Sequence, residues 1–414
     1  MSKQEALAGL DIGSSRITCL IAERGDEGEA IRLLGGASVS CRGLKGGVVI
    51  NIQETAHAIS EAVEKAEKEA GCEVNELSVG IRGSHLQSFN NRGAFNIART
   101  DKEITAEDVE GVIANAKAVP LSSDREILHV MPQSFTLDRQ RGVPDPVGME
   151  GSLLEVEVHI VTASSAHLNN LIKAVAQAGF EAKDTVYGLL AAGDVLVTPE
   201  EKELGALFID LGGQSVSLGI YSEGSLRYSK ELPIGSDFIT RDLAVGLRTS
   251  LSTAERLKVE HAFAHPALLA DDSDLDFNGV DGRTPGKIKL SAVMGIVLPR
   301  VEEILNLVSE DVQASSYADV VGPGGAVLAG GGALMRGMTE AANQVLGIPA
   351  RIAMPHPEMF SGDVAWTSPS YSTALGLLKS TNSSPFAAPS HRRIFSNKKP
   401  AWLKSVTSVF QELF

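Results

Sequence analysis

The chain has 414 residues, 43% of them hydrophobic, and a formal net charge of −15; it is long enough to bury cores in roughly two to four domains. The acidic balance excludes bulk binding to nucleic acid, which needs clustered Lys and Arg against phosphates, and no run of about 18 uncharged apolar residues offers a membrane-crossing helix. The opening MSKQEALAGLDIG has no signal-peptide pattern, and Cys19, Cys41 and Cys72 form neither a CxxC pair nor an even framework, so a reducing cytoplasm is expected.

The first predicted element is a hairpin in LAGLDIGSSRITCLIAE, where an apolar strand breaks at Asp-x-Gly and resumes after a short Gly/Ser turn, with Cys19 inside the second strand as a buried thiol. Downstream, AFNIA and LLEVEVHIVTA have strand patterns and TAEDVEGVIANAKAV a helical one, consistent with a small α+β unit. Midway, GALFIDLGGQSVSLGIY repeats the opening hairpin, with Asp210 in the place of Asp11. A single repeat at this distance implies a duplicated two-lobed fold, not a solenoid.

The chemistry of the two tips follows from their residue types. Glycine lets backbone N–H groups approach an anion closely. The hydroxyls of Ser14, Ser15 and Ser215 add donors, and Arg16 adds fixed charge. A carboxylate beside a phosphate needs a cation between them, so Asp11 and Asp210 are expected to hold hydrated Mg²⁺.

Later elements follow in order. LSTAERLKVEHAFA reads as an amphipathic helix with Ser252 or Thr253 as its cap and Glu255 and Lys258 on its polar side. PRVEEILNLV reads as a helix with Val301, Ile304, Leu305 and Val308 inward and its charges in solvent. Gly330, Gly331 and Gly332 lie between a buried strand and a helix, a turn suited to a flat ligand pressed on the backbone near a helix N-terminus. His57, His85, His129, His159, His167 and His356 show no metal-ligand spacing and are assigned to surface or core.

The end of the sequence has a different character. STNSSPFAAPSHRRIFSNKK is Ser/Pro-rich and aperiodic, a flexible tether. In AWLKSVTSVFQELF, residues Trp402, Leu403, Val406, Val409, Phe410, Leu413 and Phe414 recur at steps of three and four and form one apolar stripe, after Pro400 at the first turn. Such a helix can dock on its own body or lie in a membrane interface; Lys398, Lys399 and Lys404 beside it and the tether before it favour an anionic lipid interface, each cation contributing about 1 kcal/mol. One copy binds marginally, and copies aligned on a polymer bind more firmly.

Taken together, the paired hairpins, the Gly-rich turn and the AERLK helix resemble the actin–Hsp70–sugar kinase superfamily. Within it the chain is similar to the FtsA family of bacterial cell-division proteins. GLKGGVVINIQETAHAISEAVEKAE, ILHVMPQSFTLDRQRGVPDPVGMEGSLLEVEVHIVTA, PRVEEILNLV and SYSTALGLL resemble FtsA segments in order, and VMPQSF…DPVGMEG is the most specific of them.

The resemblance implies an α/β, actin-like two-lobed fold. It comprises a first lobe core (1–82 and 161–197), an inserted α+β subdomain (83–160), a second lobe core (198–228 and 310–379), a second-lobe subdomain (229–309), a linker (380–399) and an amphipathic helix (400–414). It implies ATP with Mg²⁺, held by Asp11, Gly13, Ser14, Ser15 and Arg16, by Asp210, Gly212, Gly213, Gln214 and Ser215, and by Gly235, Glu255, Lys258 and Gly330–Gly332. Arg16 stands where the family often has lysine. Gln214, Val216 and Ser217 depart from the second-loop pattern, which leaves at most a weak ATPase and no residue with an assigned catalytic role. Arg300 and Glu303 would contact the C-terminal peptide of FtsZ, and the insert would serve lateral contacts and later division proteins. The implied function is a peripheral adaptor that polymerises at the division site on the cytoplasmic face of the cell membrane. Two other readings share the fold: a small-molecule kinase, which needs a carboxylate base beside an acceptor pocket, and a pilus-assembly adaptor of the PilM type, which the tether and terminal helix disfavour.

Overall fold

The computed structural model describes residues 6–24 and 30–380. The linker and membrane helix expected beyond Ser380, including Lys398, Lys399 and all residues of the apolar stripe, lie outside the described residues.

Two sheets carry the body. In the first, Ala6–Ile12, Arg16–Glu23 and Ile31–Ser40 form an antiparallel meander, and Glu76–Ile81 and Glu181–Tyr187 extend it in parallel beyond Ala6–Ile12. In the second, Ala206–Leu211, Val216–Ser222 and Ser225–Leu232 form the same meander, with Ala326–Ala329 and Ala350–Ile352 added in parallel on the corresponding side. The duplication holds to the residue. Asp11 pairs with Thr18 and Gly80, and Asp210 pairs with Ser217 and Ala329.

Strand periodicity of two explains how each sheet is covered on both faces. Along Ala206–Leu211, the side chains of Leu207, Ile209 and Leu211 join the outer core of the second lobe. Ala206 and Phe208 turn inward to a central core shared with Leu7, Leu20, Leu189, Val195, Leu375 and Leu378. The helices Gly188–Leu196 and Ser372–Ser380 lie in that central layer, packed on each other. On the far face of the first sheet, helix Ile52–Ala70 buries Ile59, Ala62, Val63 and Ala66. Asn51 caps that helix through bonds from the N–H groups of Gln53 and Glu54.

The inserted unit is a four-stranded antiparallel sheet, ordered Gln87–Asn96, Leu153–Ser164, Arg125–Leu137 and Gln140–Val143, covered by helix Ala106–Lys117. It leans on the edge strand Ser225–Leu232 of the second lobe through polar contacts. Ser88 Oγ donates to Ser229 O (2.7 Å), Asn90 Nδ2 to Arg227 O (2.9 Å), and Gln133 Nε2 to Leu226 O (2.7 Å).

Three local expectations change. The AERLK helix is Leu251–His261 and its cap is Ser250, whose hydroxyl accepts from Thr253 N–H (3.1 Å); Ser252 and Thr253 lie inside the first turn. Lys258 is buried, not on a solvated face. The three glycines open a short 3₁₀ turn, Gly331–Leu334, and the α-helix starts only at Met338, so its N-terminus is not at the glycines. In helix Leu290–Ala314, Val301, Ile304, Leu305 and Val308 are buried, as their spacing predicts.

Candidate functional site

Both Asp-x-Gly tips end their strands at one cleft. At each tip a glycine N–H donates back across the turn, Gly13 to Arg16 O and Gly212 to Ser215 O, both at 3.0 Å. The second tip rests on the start of helix Ser236–Leu247, where Ser236 N–H donates to Gly212 O (2.9 Å) and Asp237 N–H to Gly213 O (2.7 Å). Gly235 is required there because a Cβ would crowd the carbonyls of Gly212 and Gly213.

The tips meet each other directly. Ser15 Oγ donates to Asp237 Oδ2 (2.6 Å), and Gln214 Nε2 donates to the same oxygen (3.3 Å). Gln214 Oε1 accepts from Gly46 N–H (3.0 Å), and Ser14 Oγ accepts from Gly47 N–H (2.7 Å). Gly46 and Gly47 form a left-handed tip, φ 56° and 80°, packed on the backbone of Arg82 and Gly83. Gly330 sits against the Asp210 carboxylate at φ 81°, where any side chain would collide with it.

The cleft floor holds the strongest electrostatics. Arg82 follows strand Glu76–Ile81, and its side chain is 12% exposed. Its Nη2 lies 2.8 Å from Asp210 Oδ2 and its Nε 3.6 Å from Asp11 Oδ1, and Nη2 also donates to Thr373 Oγ1. Burial alone would lower the Arg82 pKa, but Asp210 and Asp11 hold it well above the usual arginine value. Burial raises Asp11, against the pull of Arg82 and with a further push from Asp210. Beneath them Glu231 accepts from Gly83 N–H (3.2 Å), and burial pushes its carboxyl up to about 6.

The structure thus brings together Asp11, Gly13, Ser14, Ser15, Asp210, Gly212, Gly213, Gln214, Ser215, Gly235 and Gly330. Glu255 and Lys258 pair at 2.7 Å just behind Gly235, where Lys258 Nζ donates to Thr240 Oγ1 (2.9 Å) and Ser236 O (3.3 Å). Arg16 is exposed, and its Nε donates to Ser38 Oγ (3.1 Å) along its own sheet, so it does not close across the cleft. Arg300 and Glu303 lie apart, on helix Leu290–Ala314. There Arg300 Nε bonds Asp242 (2.6 Å), its Nη1 bonds Glu303, and its guanidinium lies 5.9 Å from the Phe238 ring.

Arg82, Asp237 and the Gly46–Gly47 tip were not singled out by the sequence reading. An arginine directly after an otherwise apolar strand, ELSVGIR, was the available signal for the first.

Residues 83–162 match the family described as the SHS2 domain inserted in FTSA, and residues 207–376 match the family of cell division protein FtsA. The cell division protein FtsA of Pseudomonas aeruginosa is 36% identical, covering 90% of this chain and 88% of that protein. The Escherichia coli K12 protein of the same name is 31% identical over 91% and 90%. The chain belongs to the FtsA family of cell-division proteins.

Solved structures place the FtsA-family chain within the actin-like fold. The PilM–PilN type IV pilus biogenesis complex aligns with TM-score 0.67 at 17% identity, over 91% of this chain and 99% of that one. MreB5 of Spiroplasma citri bound to ADP aligns at 0.54 and 13%, over 91% and 96%. At these identities the likeness concerns fold alone. Among the described residues, no helix is long and apolar enough to cross a membrane.

Proposed function

We propose that this FtsA-family chain binds ATP in the cleft between its lobes, assembles into actin-like filaments on the inner face of the cytoplasmic membrane, ties FtsZ to it and helps gather later division proteins. The observation that carries the reading is the matched register of Asp11 and Asp210 at two glycine tips facing one cleft. Backbone N–H groups at Ser14, Ser15 and Gly213–Ser215, with the hydroxyls of Ser14 and Ser215, would take the phosphates, while Gly235 and Gly330–Gly332 would face the nucleoside, backed by the Glu255–Lys258 pair.

Contact with FtsZ is assigned to the surface around Arg300 and Glu303, where Phe238, Arg241 and Asp242 supply an aromatic ring and both signs of charge. Membrane attachment is assigned to the amphipathic pattern from Trp402 to Phe414 with Lys398, Lys399 and Lys404. The inserted sheet is the surface assigned to neighbouring copies and later partners.

Liposome flotation tests the attachment. The full chain should float with anionic vesicles and stay down with neutral ones, and a truncation ending before Pro385 should float with neither. Equal behaviour of the two proteins would remove the membrane role. An FtsZ tail peptide should bind the full chain and lose most of its affinity to Arg300→Glu; undiminished binding would move the contact elsewhere.

A further inference from the structure

A hydrated divalent ion bridging Asp11 and Asp210 is the arrangement their sequence positions imply, and the residues present do not fit it. The space between the two carboxylates is taken by the Arg82 guanidinium, within ion-pair distance of both. A second cation there would face a fixed positive charge in a poorly screened interior, where like charges repel strongly.

The seat of Arg82 is built, not incidental. Gly188, at the head of the central helix, leaves room for the side chain: a Cβ there would lie 2.8 Å from Arg82 Nε and 2.9 Å from its Cγ. Thr373, on the other central helix, gives its hydroxyl to the same guanidinium. The next residue, Gly83, is fixed by its N–H bond to buried Glu231. Arg82 belongs to the first lobe and Asp210 to the second, so the ion pair also links the lobes across the cleft floor.

We propose that Arg82 is a resident counter-ion of the phosphate site, neutralising Asp11 and Asp210 in place of a divalent cation, so that nucleotide binding by this chain depends little on divalent metal. This rests on the nucleotide reading above. Planar, permanently charged and weakly hydrated, a guanidinium suits two carboxylates in a buried setting better than an ammonium would. Once the aspartates are neutralised from within, a polyphosphate entering the cleft no longer meets two uncompensated anions.

The experiment is titration of the full chain with a fluorescent ATP analogue, in Mg²⁺ and in EDTA, for the natural sequence and for Arg82→Ala. Affinity of the natural chain should change by less than about threefold between the two buffers, whereas the variant should weaken about tenfold or more in EDTA and recover in Mg²⁺. A tenfold loss in EDTA for the natural chain, or the same metal response in both proteins, overturns the proposal. A second readout uses Mg²⁺ alone. It should raise the melting temperature of Arg82→Ala and leave the natural chain unmoved, and equal shifts overturn the proposal. If no analogue binds in either buffer, the nucleotide reading fails and this melting comparison still decides the role of Arg82. Should Arg82→Ala not fold, Gly188→Ala displaces the guanidinium while keeping its charge and should acquire the same metal dependence; a variant that stays indifferent to metal counts against the proposal.

Discussion

His129 accepts a hydrogen bond at Nε2 from the Tyr187 backbone N–H (2.9 Å), which only an unprotonated nitrogen can do. His159 is held between Asn90 Oδ1 (2.5 Å) and Ser229 Oγ (2.9 Å), where the insert meets the second lobe. His85 packs edge-on to His167 with ring centroids 5.3 Å apart. Burial pushes all three down to about 4, with His167 and Arg125 adding to the effect at His85. The unfolded chain takes up these protons below about 6.5, and the folded chain refuses them until about 4, so stability is present above 6.5 and lost as pH falls through that window. Glu231 acts in the opposite sense: its raised value lets the folded chain take a proton near 6 that the unfolded chain takes only near 4.5. Asp11, also raised by burial, acts in the same sense as Glu231, so three protons against these leave at most about two, a slope of up to about 2–3 kcal/mol per pH unit between those limits. Denaturant melts at pH steps from about 7.5 to 5 should show this fall, and His159→Gln should reduce the slope by about one proton. A flat profile would mean that the buried rings are hydrated.

At the level of elements, the central layer depends on two helices approaching with no side chain between them. A Cβ on Gly376 in Ser372–Ser380 would enter the backbone of Ala191 in Gly188–Leu196. Gly376→Val should therefore cost about 1–3 kcal/mol or more through overpacking, read as a lower melting temperature. Gly295→Val, on an open stretch of helix Leu290–Ala314 with nothing within 4 Å of the added Cβ, serves as a control for helix propensity, which on its own favours valine over glycine and should leave that variant no less stable. If both variants melt alike, the close approach is not what holds the layer. A smaller loss, about 1 kcal/mol, is expected for Ser250→Ala, which removes the cap of Leu251–His261, whereas Ser252→Ala should change little. The helix itself was legible from its apolar spacing. Its cap was not, because three hydroxyls compete in SLST and apolar spacing does not choose among them. The glycine triplet shows the same limit: its strand is plain in the sequence, but the chain needs a 3₁₀ turn and a further left-handed residue, Gly337 at φ 78°, before the helix can begin.

Across the whole molecule, the duplication was legible because Asp-x-Gly marks the same strand end twice, and the register bears this out at Asp11 and Asp210. What joins the copies was not legible, since each link draws on distant segments: Arg82 reaches Asp210 over 128 residues and Ser15 reaches Asp237 over 222. Gln214 gains its meaning in the same way. In sequence it is only bulk at a glycine tip; in the structure its amide spans the cleft, bonding Gly46 of the first lobe and Asp237 of the second. Such a group can act as a phosphate ligand or as a gate, and kinetics separate the two. A gate bond holds the lobes together on the path that a nucleotide takes both in and out. Removing it lowers the barrier in both directions, and the equilibrium constant moves less than either rate. The two lost bonds are worth about 0.5–1.5 kcal/mol each, about 1–3 kcal/mol together, so Gln214→Ala should raise both association and dissociation rates of a fluorescent ATP analogue by about five- to 150-fold. Stopped-flow mixing and chase measure the two rates. Faster dissociation with unchanged association would make Gln214 a ligand of the phosphates, and the cleft would then owe its closure to the remaining links between the lobes, Arg82 and the Ser15–Asp237 bond among them.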